Sequence, residues 1–222
     1  MNVRLGIYEI FSRIVPGGVY LVAIWQLLTI LGIVTIDFQT INNLSIIASI
    51  GLIVVAYILG GALDNLALIL FRLFEKPGFS ARSFVKFKKK HQDRWMIDFR
   101  DEDWPILLAY IRTKNLELAS EIDRHNAISI MSRNIGTGLM LIAGNSLIQF
   151  FVSQDFIQMF ICIIMLILSV LSIREAVKFR GWFYDRIYET VLAYRIDLEK
   201  SIKPVITSAK KRNAKTKAEN LL

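Results

Sequence analysis

The chain has 222 residues, 54% of them hydrophobic, and a formal net charge of +8. With a mean hydropathy of +0.46 it is more apolar than a soluble domain of this length, so it reads as a membrane protein. A single cysteine, Cys162, excludes an intramolecular disulfide framework.

Four apolar stretches, 15–36, 45–71, 135–152 and 156–173, alternate with polar segments. The short connections 37–44 and 153–155 contain no Lys or Arg, and all 27 basic residues lie in the other segments: 2 before the first stretch, 13 between the second and third, and 12 after the fourth. Basic residues are retained on the cytoplasmic side of a membrane. The expected fold is therefore an all-α membrane protein with four transmembrane helices, a cytoplasmic helical domain, an amphipathic C-terminal helix and both termini in the cytoplasm. The same asymmetry and anionic lipid account for the net charge, so nucleic acid is not the expected partner.

In chain order, residues 1–14 place Val3, Ile7, Phe11 and Ile14 on one face, as expected of a short interfacial helix. Pro16-Gly17-Gly18 marks the expected bend into the membrane, where proline suits a first helical turn and glycine permits unusual angles. Transmembrane helices 1 and 2 occupy 15–71. The second stretch, from Ser45 to Phe71, is expected as one helix longer than a bilayer needs, interrupted only by Asp64 and Asn65.

The segment 72–134 is expected to fold as a helical domain divided at Pro77-Gly78 and Trp104-Pro105. It contains the basic, aromatic run Phe84 to Lys90, in which Lys86, Lys88, Lys89 and Lys90 are candidate contacts for lipid or a protein partner. No proline or glycine falls between Asn115 and Gly136, which predicts a helix continuous with the third span. Spans 3 and 4 (135–173) are joined by Ser153-Gln154-Asp155, a link short enough to require an antiparallel hairpin. Residues 174–203 repeat apolar positions at intervals of three and four, from Phe179 through Phe183, Ile187, Val191, Tyr194 and Leu198 to Ile202, as an amphipathic helix does. Residues 204–222 read as a basic disordered tail.

Polar groups in apolar stretches are costly and turn toward protein or water. Asp64 and Asn65 either sit among headgroups or find partners, with Arg133 and Arg174 near the same boundary. Asn145 and Gln149, four apart, share a face of the third span and are candidates for an interhelical contact or a pore lining. Ala56, Gly60 and Gly61 in the second span, and Gly136, Gly138, Ala143 and Gly144 in the third, permit close backbone approach. Four helices from one chain are expected to fill their own interior, so conduction requires several copies.

Catalytic sequences are missing. His91 and His125 are the only histidines, and no HExxH, GxSxG, GxGxxG, phosphate-loop or Cys/His metal spacing occurs. The expectation is no catalytic, cofactor or metal site, and no enzymatic role. The densest polar cluster, Glu121 to Asn126, reads as a solvated or salt-bridged helix face.

The run from Ile7 to Gly18, with Tyr57-Ile58-Leu59-Gly60-Gly61, resembles small multi-pass membrane proteins of bacterial antiphage defence systems. These include the accessory membrane protein of type VI-B CRISPR systems and the membrane subunit of the Kiwa system. The Arg-x4-His motif of the first group is absent, since Lys86 stands five before His91 and Ser120 five before His125. The resemblance implies an inner-membrane, homo-oligomeric effector that forms or gates a pore and perturbs membrane integrity or potential. The alternative is a non-conducting sensor or scaffold that recruits a cytoplasmic defence protein.

Overall fold

The computed structural model describes residues 3–34, 45–74, 79–91 and 100–194, all of its regular structure helical. The Pro77-Gly78 division, the connection 37–44, the last part of the expected amphipathic helix and the basic tail lie outside the described residues. The helices are α1 (Val3–Ile30), α2 (Ile46–Ala62), α3 (Asp64–Phe74), α4 (Phe79–Lys90), α5 (Trp104–Lys114), α6 (Leu116–Ser153) and α7 (Phe156–Ala193). A 3-10 turn, Asp101–Asp103, leads into α5.

Among the described residues three helices are long and apolar enough to cross a membrane: Ile10–Ile30 within α1, together with α6 and α7. A fourth is obtained if the bent pair α2 and α3 counts as one span. Local chemistry sets the ends. Ser45 caps α2 by accepting from the amide of Ala48, Asn115 caps α6 through Leu118, and Asp155 caps α7 through Ile157. Pro105 occupies the first turn of α5, where its missing amide costs nothing. Gly32 beyond α1 and Gln154 beyond α6 both take left-handed backbone, with φ of 70° and 55°. The Gln154 turn directs α7 back along α6.

Two expectations need correction. First, α1 continues through Pro16-Gly17-Gly18 without a break, so these residues do not separate an interfacial helix from a span. Gly17 instead permits contact: a Cβ there would lie 1.7 Å from the carbonyl oxygen of Ala56, and one on Gly60 would lie 2.0 Å from that of Arg13. Arg13 and Gly17, like Ala56 and Gly60, are one turn apart, so α1 and α2 meet backbone to backbone over two turns. Gly18 has open space around it. Second, the stretch expected as one helix from Ser45 to Phe71 is broken at Leu63 and bends by 44°. The bend carries α3 across α6, where Ala67 is buried and Phe71 packs with Ile173 and Ala176 of α7.

The four long helices form a row in the order α2, α1, α6, α7. Extensive packing joins each to its neighbour, and among the described residues no comparable packing joins α2 to α6 or α7, or α1 to α7. The row therefore does not close into the bundle expected from four spans. On α2 only Ala56 and Gly60 are buried, and α7 exposes Phe156, Phe160, Ile163, Ile167 and Leu171.

Beyond the row, α4, α5, the first part of α6 (116–134) and the last part of α7 form a helical head. Its core contains Phe87, Leu107, Leu108, Ile111, Ile122, Phe183, Tyr184, Ile187, Tyr188 and Val191. Trp104 meets Phe183 and Tyr184 edge-on, at 5.6 and 5.7 Å between ring centroids. At 38 residues each, α6 and α7 measure about 57 Å at the helical rise, nearly twice a hydrocarbon thickness of about 30 Å. The same two helices thus build both the row and the head.

Candidate functional site

The polar residues of the spans fall into two groups. The first seals the α1–α6 seam: Asn145 Nδ2 donates to the Ala23 carbonyl at 2.7 Å, and Gln26 Nε2 donates to Ser146 Oγ at 2.9 Å. Asn145 is buried, while Gln149 is only half-buried, and its backbone oxygen accepts from Ser153. Similar ties join α6 to α7, where Ser129 Oγ donates to the Ala176 carbonyl at 2.8 Å and Ser169 Oγ to that of Gly136 at 2.7 Å. Gly136 makes room for this, because a Cβ there would stand 2.8 Å from Ile173.

The second group gathers at the break between α2 and α3. Asp64 opens α3 and accepts from Arg133 Nη2 at 2.6 Å and Asn134 Nδ2 at 2.9 Å. A carboxylate in a first helical turn also complements the helix dipole. The side chain of Arg133 is 6% exposed and that of Asp64 is 40%, so the pair is half sheltered. Arg133 also lies over the ring of Phe71, its guanidinium carbon 5.9 Å from the centroid. Asn65 points outward and is exposed.

Beside this pair is a polar cavity of about 520 Å³ between α1, the α2–α3 break, α5 and α6. Tyr8, Ser12 and Arg13 come from α1, Gly60, Gly61 and Asp64 from the break, Arg112 from α5, and Asp123, Arg124, Asn126, Ala127, Ile130 and Asn134 from α6. Residues 123, 127, 130 and 134 recur at helical spacing, which is why one face of α6 supplies this wall. Three arginines and two aspartates line it. Both acids are already paired: Arg112 Nη2 donates to the two oxygens of Asp123 at 3.0 and 2.9 Å, and Asp64 is held by Arg133. Among the described residues no carboxylate pairs with Arg124. The wall is electropositive.

A second cavity, about 580 Å³ and almost wholly apolar, is lined by Tyr8, Phe11, Ser12, Val15, Ala127, Ile128 and Met131. It meets the first at Tyr8, Ser12 and Ala127.

The polar cluster 121–126 divides around its helix. Asp123, Arg124 and Asn126 face the cavity, while His125 turns into the head, stacked on Phe179 and edge-on to Trp182. Burial, aided by the charge of Arg124, lowers the His125 pKa below its ordinary value. Asn134 and Arg112, which the sequence did not single out, complete the polar cavity. Helical spacing from Asp123 to Asn134 was the available signal.

The basic run on α4 also divides. Lys86, Lys88 and Lys89 are exposed, while Lys90 Nζ lies 3.0 Å from Glu189 on α7. Its aromatic members are core residues: Phe87 is buried, and Phe84 packs edge-on to Tyr188 at 5.5 Å. Burial raises the Asp185 carboxyl, with Lys86 opposing the effect. Among the described residues no three His, Cys, Asp or Glu side chains converge as a metal ion would need.

Comparison with protein-family models, curated proteins and solved structures finds no match.

Proposed function

We propose that this chain is a bacterial inner-membrane component of an antiphage system, with both termini and the head in the cytoplasm, acting as a non-conducting sensor or scaffold. The head engages a cytoplasmic defence protein of acidic surface through Lys86, Lys88 and Lys89, and α6 and α7 transmit that engagement to the spans. The observation that carries this over the pore reading is the burial of Asn145 in the α1–α6 seam, where it donates to the Ala23 carbonyl beside the Gln26–Ser146 bond. The confinement of 27 basic residues to three segments supports the orientation, and the resemblance of residues 7–18 and 57–61 supports the biological class.

A specific feature favours the second reading, a pore built by several copies. The row is open, and its outer helices α2 and α7 present apolar surface that further copies can cover. Potassium flux from liposomes separates the two. The sensor reading expects no flux with or without the product of a neighbouring defence gene, together with binding of that product lost when Lys86, Lys88 and Lys89 become Glu. Flux that depends on Asn145 or Gln149 contradicts it.

A further inference from the structure

The two cavities between α1 and α6 are chemically unlike and share Tyr8, Ser12 and Ala127 in their linings, and neither serves the proposed partner contact on α4. One is polar, with three arginines against two acids that are already paired. The other is apolar, walled by Phe11, Val15, Ile128 and Met131. A ligand filling both must have an anionic head and an apolar tail.

A second observation concerns the head of that ligand. Asn134 is 1% exposed and borders the polar cavity. Its Nδ2 donates to Asp64, while its Oδ1 is buried without a partner. Reversing the amide would set oxygen against carboxylate, so the orientation is fixed by Asp64. A buried acceptor left unpaired costs stability, and a hydroxyl donor in the cavity removes that cost. Guanidinium groups match a phosphate diester, and Arg124 has no carboxylate partner among the described residues.

We propose that this double cavity is a binding site for one anionic phospholipid with a hydroxylated headgroup, of the phosphatidylglycerol class. The phosphate meets Arg124 and Arg112, a headgroup hydroxyl donates to Asn134 Oδ1, and one acyl chain lies between Val15 and Met131. The lipid then bridges α1 to the start of α6, the point where head and spans join.

Native mass spectrometry of the full chain released from nanodiscs of mixed phosphatidylglycerol and phosphatidylcholine tests this. One retained phosphatidylglycerol per chain is expected, with retention lowered about tenfold in Arg124→Gln, as loss of one charged hydrogen bond implies. Arg124 is exposed, so this variant leaves the packing intact. Met131→Trp, which fills the apolar cavity, is expected to abolish retention of either lipid while the circular dichroism spectrum stays helical. Equal retention of the two lipids overturns the proposal, as does unchanged retention in both variants. So does displacement of the lipid by inorganic phosphate or a nucleotide at micromolar concentration, which assigns the polar cavity to a soluble ligand.

Discussion

Helix α7 passes through two environments, and its halves are built differently. From Phe179 onward it buries Phe183, Tyr184, Ile187, Tyr188 and Val191 in the aromatic core of the head, yet from Phe156 to Leu171 it buries only Cys162 and Ser169 and exposes nearly every large apolar side chain. Water expels the apolar face of the part from Phe179 onward. A bilayer gives no such drive to the part from Phe156 to Leu171, because lipid is as apolar as the side chains. There the helices are joined by glycine contacts and by hydroxyl and amide groups donating to backbone carbonyls.

The contrast predicts very different costs for truncating aromatics. Tyr188→Ala in the head should destabilise by about 3–5 kcal/mol, the usual cost of removing a large buried side chain. Phe160→Ala in the exposed half should change stability by less than about 0.5 kcal/mol. Denaturant unfolding in one detergent reads both. Comparable losses would mean that the exposed face of α7 is covered in the folded protein.

At the junction of the two regions, Asp64→Asn removes the charge opposite Arg133 but retains a hydrogen-bond acceptor. About 1–2 kcal/mol is expected, less than for a fully buried pair because Asp64 is partly exposed. Arg133→Met in the same background should recover part of this, and the double-mutant cycle measures the coupling. Within the row, Asn145→Leu loses one interhelical bond, worth about 0.6 kcal/mol by comparison with other membrane helices. A much larger loss, or one confined to transport, would restore Asn145 as a path-lining residue.

The smallest effect concerns pH. Burial holds the folded His125 pKa below its ordinary value of 6.5. The unfolded chain therefore takes up the proton first as pH falls. Stability should be flat above about pH 6.5 and decline below it. His125→Phe should flatten that decline in a melting series from pH 8 to 5.

Helical class and apolar spans were legible because hydropathy and helical periodicity are properties of short segments. The turn at Gln154 and the uninterrupted course of α6 are local in the same way. Gly17 illustrates the limit. Glycine serves both bending and close approach, and only Ala56, on another helix, decides between them. The break at Leu63 was hidden for the same reason: nothing in the apolar run marks it, and the reward for bending is the contact of Phe71 with Ile173 and Ala176, over a hundred residues later in the chain. Arg133 was among the partners considered for Asp64, whereas Asn134, 70 residues from Asp64, was not. The polar cavity draws on five helices, so no single stretch of sequence contains it.

The central structural claim is that the spans lie in an open row with α2 and α7 at opposite edges. Disulfide crosslinking in a Cys162→Ser background tests it most directly. The pair Val19→Cys and Gly138→Cys, at the α1–α6 contact, should link within one chain, while Ile50→Cys with Phe160→Cys should give no intrachain link. An intrachain disulfide between positions 50 and 160 would show α2 packed on α7, and a closed bundle in place of the row.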